Sequence, residues 1–136
     1  MIIHIFTDGG SRGNPGPAAS GIYVVSEDGK ELAKFGIQLG ITTNNVAEYT
    51  AVIEAMQWLL LHQQHITAIQ FFMDSKLVCN QMNGVFQVKH PNMIPLFAKA
   101  KQLEQQLGIP VTYSHIPREK NKEADRMVNQ ALDNLL

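Results

Sequence analysis

The sequence predicts an α/β fold: one five-stranded mixed sheet with helices on both faces. Two observations predict it. Five short stretches are rich in β-branched and aromatic residues, and between the later ones apolar residues recur every three or four positions. The first three stretches are joined only by turn and loop residues, so they read as an antiparallel meander. The fourth and fifth each follow a helical segment, so they should add parallel to the first strand through right-handed crossovers.

Taken in order, "IIHIFTD" reads as the first strand and "GGSRGNPGP" as a loop. "SGIYVVSEDGKELAKFGIQLG" reads as a hairpin, with Asp28-Gly29 at a turn that wants a left-handed pair. From about Asn45 to His62, Tyr49, Val52, Ile53, Met56, Leu59 and Leu60 form one helical stripe. "ITAIQFFMD" is the fourth strand, "SKLVCNQM" a short helix and "GVFQVKHPN" a loop. Leu96, Ala100, Leu103 and Leu107 mark a further helix that Gly108 closes. "PVTYSHI" is the last strand, and a final helix begins near Asn121.

The 136 residues fit one domain, 1–136, with a genuine core. Apolar content of 45% and charged content of 17% are ordinary for a globular protein. Cys79 is the sole cysteine, so no internal disulfide forms; it reads as a small buried hydrophobe in a reducing, cytoplasmic compartment. No apolar run is long enough to cross a bilayer, and "MIIHIFTD" lacks a basic start and a cleavage site, so neither membrane association nor a signal peptide is expected. A net charge of −1 argues against a strongly electrostatic nucleic-acid binder. The cluster "PREKNK" with Arg126 supplies only a local basic patch, which by itself reads as a solvated face.

Four acids stand at ends of predicted elements. Asp8 ends the first strand, Asp74 ends the fourth, Glu48 opens the first long helix and Asp125 lies in the first turn of the last. If the first and fourth strands are neighbours, Asp8 and Asp74 share one sheet edge, and the helix starts can bring the other two there. Each acid also has a local reading. Asn45-x-x-Glu48 resembles a capping box, Asp8-Gly9 a turn pair, Asp74-Ser75 a helix cap, and Asp125 a complement to the helix dipole. Spacing leaves these readings balanced. Gathered together, the carboxylates would repel and raise one another's pKa values unless cations joined them. An all-oxygen donor set selects Mg²⁺, with Mn²⁺ as a substitute, over zinc. Two such ions about 3.5–4 Å apart can activate a water and stabilise a leaving oxygen.

At these residues the sequence resembles type 1 ribonuclease H. The resemblance is carried by "IFTDGGSRGNPGPAASGI", "TTNNVAEYTAVIEAM", "FMDSKLVCNQMNG" and "IPREKNKEADRMVNQAL", which occur in the family's order between Ile3 and about Leu132. It implies the ribonuclease H-like fold and a Mg²⁺-dependent endoribonuclease. Such an enzyme cuts the RNA strand of an RNA–DNA hybrid, leaving 5′-phosphate and 3′-hydroxyl ends. It implies Asp8, Glu48, Asp74 and Asp125 as metal ligands. It matches Asn14, Asn44 and Asn45 to positions that meet the nucleic acid in the minor groove, where the 2′-hydroxyl marks RNA. It matches Thr43 to a position holding a phosphate of the DNA strand.

Two departures stand out. Many members carry a basic, Trp-bearing insertion after the short helix, and "NGVFQVKHPN" runs straight on without it. Phe86, Lys89 and His90 are a thin replacement, so binding should weaken steeply with salt, and double-stranded RNA becomes a further candidate substrate. Many members also place a histidine in a glycine-bearing loop before the last Asp. His115 is near that distance, but "TYSHIP" reads as strand, which leaves Arg118 for the catalytic role or a phosphate contact. A monomer is expected. Competing readings are a catalytically silent module of this fold that binds hybrid or double-stranded RNA, and a structural protein whose acids are all caps.

Overall fold

The computed structural model describes residues 1–62 and 64–134. Its elements are β1 (Ile2–Ser11), β2 (Gly16–Ser26), β3 (Glu31–Thr42), α1 (Asn44–His62), β4 (Ala68–Met73), α2 (Lys76–Met82), α3 (Ile94–Leu107), β5 (Val111–His115) and α4 (Lys122–Asp133). A single 3-10 turn, Arg118–Lys120, precedes α4. The sheet order is β3-β2-β1-β4-β5. β1 pairs antiparallel with β2 and parallel with β4, β2 pairs antiparallel with β3, and β4 pairs parallel with β5. This is the mixed sheet the sequence predicts.

Alternation along the strands divides the molecule into two layers around the sheet. Ile3 and Ile5 of β1 and Ile22 and Val24 of β2 are fully buried. They share one core with Tyr49, Val52, Met56 and Leu59 of α1 and Ala100, Leu103 and Leu107 of α3. On the opposite face a smaller cluster joins Ala19 of β2 to Val128, Ala131 and Leu132 of α4. α1 is buried more widely than its predicted stripe. Ala47, Ala51 and Ala55 are also inaccessible, because the helix packs against both β1 and α3.

The hairpin turn carries Gly29 at φ 94°, where a left-handed residue was expected, and Gly108 closes α3 at φ 66°. The "GGSRGNPGP" stretch differs from expectation. β1 continues through Gly9, Gly10 and Ser11, which pair with Ser20, Ala19 and Ala18, so the loop shrinks to Arg12–Pro15. Glycine is a poor strand former in isolation. Here the ladder to β2 and the closeness of a helix override that preference. Cys79 is buried, as expected, whereas Phe86 is 44% exposed and lies outside the core.

Candidate active site

The register of β1 places Asp8 and Asp74 together. Thr7 is opposite Met73 in the parallel β1–β4 pair, so the residues that follow, Asp8 within β1 and Asp74 just beyond the end of β4, come side by side. Glu48 arrives from α1 because β1 has no side chain at position 9. A Cβ there would lie 2.2 Å from the Ala47 carbonyl carbon and 2.3 Å from the Glu48 nitrogen, so only glycine admits this approach. Ser20 secures the same turn from β2, its Oγ donating to the Ala47 carbonyl at 2.7 Å. Asp125 arrives from the other face by the same device. Gly21, the cross-strand partner of Asp8, would place a Cβ 2.1 Å from the Ala124 carbonyl oxygen.

One carboxylate oxygen from each of Asp8, Glu48 and Asp74 lies within 4.8 Å of the others. Asp8 is 7% exposed and Glu48 9%. Burial pushes the Asp8 pKa up to about 8, and the charges of Asp74 and Asp125 push the same way. Glu48 is raised well above the carboxylate range, by burial first and by Asp8 and Asp74 next. The Gly9 N–H works in the opposite direction on both groups. No ion pair among the described residues involves any of the four acids. They line a cavity of about 440 Å³ together with Asn44 and Arg118. Crowded carboxylates that no cationic side chain among the described residues pairs with form a hard, all-oxygen donor set that fits a divalent ion such as Mg²⁺ or Mn²⁺.

The local readings of the acids resolve here. Thr43 caps α1: its Oγ1 accepts from the Val46 N–H at 3.3 Å. The capping-box reading of Asn45 and Glu48 is therefore corrected. Glu48 lies in the second turn and faces Asp8 and Asp74, since the helix begins one residue earlier than expected and Thr43 already serves its end. Ser75, not Asp74, caps α2, accepting from the Val78 N–H at 3.2 Å. Asp74 is left beside Asp8.

The polar residues around the cavity are tied to one another. Asn14 Oδ1 accepts from the Asn44 backbone N–H at 3.0 Å. Asn44 Oδ1 accepts from both the N–H and the Oγ–H of Ser11, at 2.8 and 2.9 Å. Their carbonyl oxygens are thus engaged within the protein, leaving the NH₂ groups as donors toward a ligand. Asn45 is exposed on the same turn. Thr43 Oγ1 accepts from the backbone, and its O–H remains a donor. Arg118, from the 3-10 turn, reaches the cavity. His115 is the last residue of β5, opposite Met73, as its strand context suggested. The sequence reading missed Ser11, which links β1 to α1, and the role of Gly9 and Gly21 in admitting two helices. The only signal for the glycines was their place next to, and across the hairpin from, Asp8.

Residues 6–131 match the family described as reverse transcriptase-like. Ribonuclease HI of Halobacterium salinarum is 37% identical over 131 residues, 96% of this chain and 64% of that protein. The crystal structure of ribonuclease H1 from that archaeon matches with a TM-score of 0.91, covering 98% of this chain and 99% of that one.

The chain belongs to the type 1 ribonuclease H family. A second family structure, LC11 ribonuclease H1 in complex with an RNA/DNA hybrid, matches with a TM-score of 0.93 at 41% identity, covering 98% of each chain. A bifunctional protein of Mycobacterium tuberculosis is 41% identical over 134 residues, 98% of this chain but 36% of its own length. The chain thus spans about a third of the mycobacterial relative and 64% of the haloarchaeal one.

Proposed function

We propose that the chain is a divalent-metal-dependent endoribonuclease that hydrolyses the RNA strand of RNA–DNA hybrids, leaving 5′-phosphate and 3′-hydroxyl ends. The observation that carries this reading is the meeting of buried Asp8 and Glu48 with half-buried Asp74 within 4.8 Å, with no cationic side chain among the described residues paired to them. Protein groups that raise one another's pKa in this way are poised to bind cations. Family membership and the hybrid bound to LC11 ribonuclease H1 support the substrate class.

In this reading Asp8, Glu48, Asp74 and Asp125 hold Mg²⁺, or Mn²⁺ in its place. The bound cation would supply an activated water and neutralise charge on the leaving oxygen. Water oxygen bonds to phosphorus as the bond from phosphorus to the 3′-oxygen breaks. The proton lost by the water is balanced by the one gained at the 3′-oxygen. The NH₂ groups of Asn14 and Asn44, with Asn45 beside them, face the minor groove, where donors can meet a 2′-hydroxyl oxygen. Thr43 donates its hydroxyl to a phosphate of the DNA strand. Arg118, at the cavity rim, meets the phosphate charge of the cleaved strand or assists catalysis.

A labelled hybrid digested with Mg²⁺, Mn²⁺ or EDTA tests the reading, with duplex RNA, duplex DNA and single-stranded RNA run beside it. Cleavage confined to metal-containing reactions on the hybrid is expected. Digestion of duplex RNA as well would widen the substrate class. Asp8→Asn and Asp74→Asn should each lose more than the roughly 10–100-fold that follows loss of a ligand's outer partner. Wild-type activity in either purified variant would sink the mechanism.

A further inference from the structure

Asn121 directly precedes α4, a position where an asparagine side chain ordinarily accepts from the first N–H groups of the helix. It makes no such bond. The residue is 1% exposed, and its Nδ2 donates to the Thr7 carbonyl oxygen at 2.8 Å. Its Oδ1 is buried without a hydrogen-bond partner. Both features lower stability, since a cap is forgone and a buried acceptor is unsatisfied.

What the side chain accomplishes is positional. Thr7 immediately precedes Asp8, and Asp125 lies one helical turn beyond Asn121, its N–H donating to the Asn121 carbonyl at 3.1 Å. One amide therefore joins the backbone that carries Asp8 to the turn that carries Asp125. At Gly21 the Ala124 carbonyl approaches the sheet as bare backbone, a closeness that by itself holds nothing in register. The trio Asp8, Glu48 and Asp74 is set by β1, α1 and β4. The fourth carboxylate comes from a different face and needs its own tether.

We propose that Asn121 is a positioning residue whose amide pins the first turn of α4 to β1 and so fixes Asp125 against the other three acids. The inference rests on the metal-site reading above. Its test is Mn²⁺ binding by titration calorimetry, with thermal melting alongside, on the whole chain and on Asn121→Ala and Asn121→Leu. Leucine has similar volume and removes both the tether and the unsatisfied acceptor. Both variants should melt cooperatively, with Asn121→Leu close to wild type, while the Kd for Mn²⁺ rises about 10–100-fold. Folded variants with wild-type Mn²⁺ affinity would overturn the proposal. So would failure of both to fold, because the amide would then hold the sheet and not one carboxylate. Wild-type protein that binds no Mn²⁺ would refute the metal-site reading itself, and this inference with it.

Discussion

At Asp8, burial and two neighbouring carboxylates act together to raise the pKa to about 8. The side chain is placed where its charge is opposed, which is the usual signature of a functional group and not of a stabilising one. Replacing it by the neutral isostere should therefore separate stability from activity. Asp8→Asn, melted at pH 9 in EDTA, is expected to unfold at a higher temperature than the parent. A gain of 1 kcal/mol would appear as roughly 2–8 °C. The same variant should cut no hybrid. A lower melting temperature would mean that the Asp8 carboxylate is satisfied in the metal-free fold. At this scale the sequence was legible for residue type and ambiguous for role. Glu48 had the spacing of a cap and Asp74 stood beside a capping serine. Which oxygen faces a helix end and which faces a neighbour is decided by where each helix starts.

The elements meet through glycines. α4 crosses the sheet so closely at Gly21 that a Cβ would stand 2.1 Å from the Ala124 carbonyl oxygen, whereas at Gly10 the nearest atom would be the Val128 Cγ1 at 3.6 Å. Gly21→Ala should push α4 outward, lowering stability by about 1–3 kcal/mol in urea denaturation and withdrawing Asp125 from the site. Gly10→Ala meets only ordinary contact and serves as its control. Equal stability of the two variants would show that α4 is free to shift. The strand and helix periodicities were readable because each element has one apolar face. The extension of β1 through Gly9 and Gly10 was not. Its stabilisation comes from β2 and α1, and nothing in two consecutive glycines announces a strand.

Over the whole molecule the acid cluster couples stability to pH and to metal. Asp8 and Glu48 have folded-state pKa values above their unfolded values. Their contribution to stability is therefore fully present below about pH 4 and is lost as pH rises toward 8 and beyond. In metal-free buffer the melting temperature should fall between pH 5 and pH 9. Millimolar Mg²⁺ or Mn²⁺ should flatten that fall, because an ion that binds only the folded chain stabilises it by mass action. Melting curves at both pH values, with and without the ion, check this. A metal-free protein that is more stable at pH 9 than at pH 5 would contradict the electrostatic account of the cavity.

The sequence by itself determined the α/β class, the mixed sheet, the family motifs and the four acids, since periodicity and residue type are local properties of the chain. Only the tertiary structure decided which of those acids share a site. Strand register set Asp8 beside Asp74, and the missing side chain at Gly9 let Glu48 reach them. Asp125 was brought from the opposite face by Gly21 and the Asn121 amide. Those are contacts between residues up to 114 positions apart, and no local pattern encodes a distance across the fold.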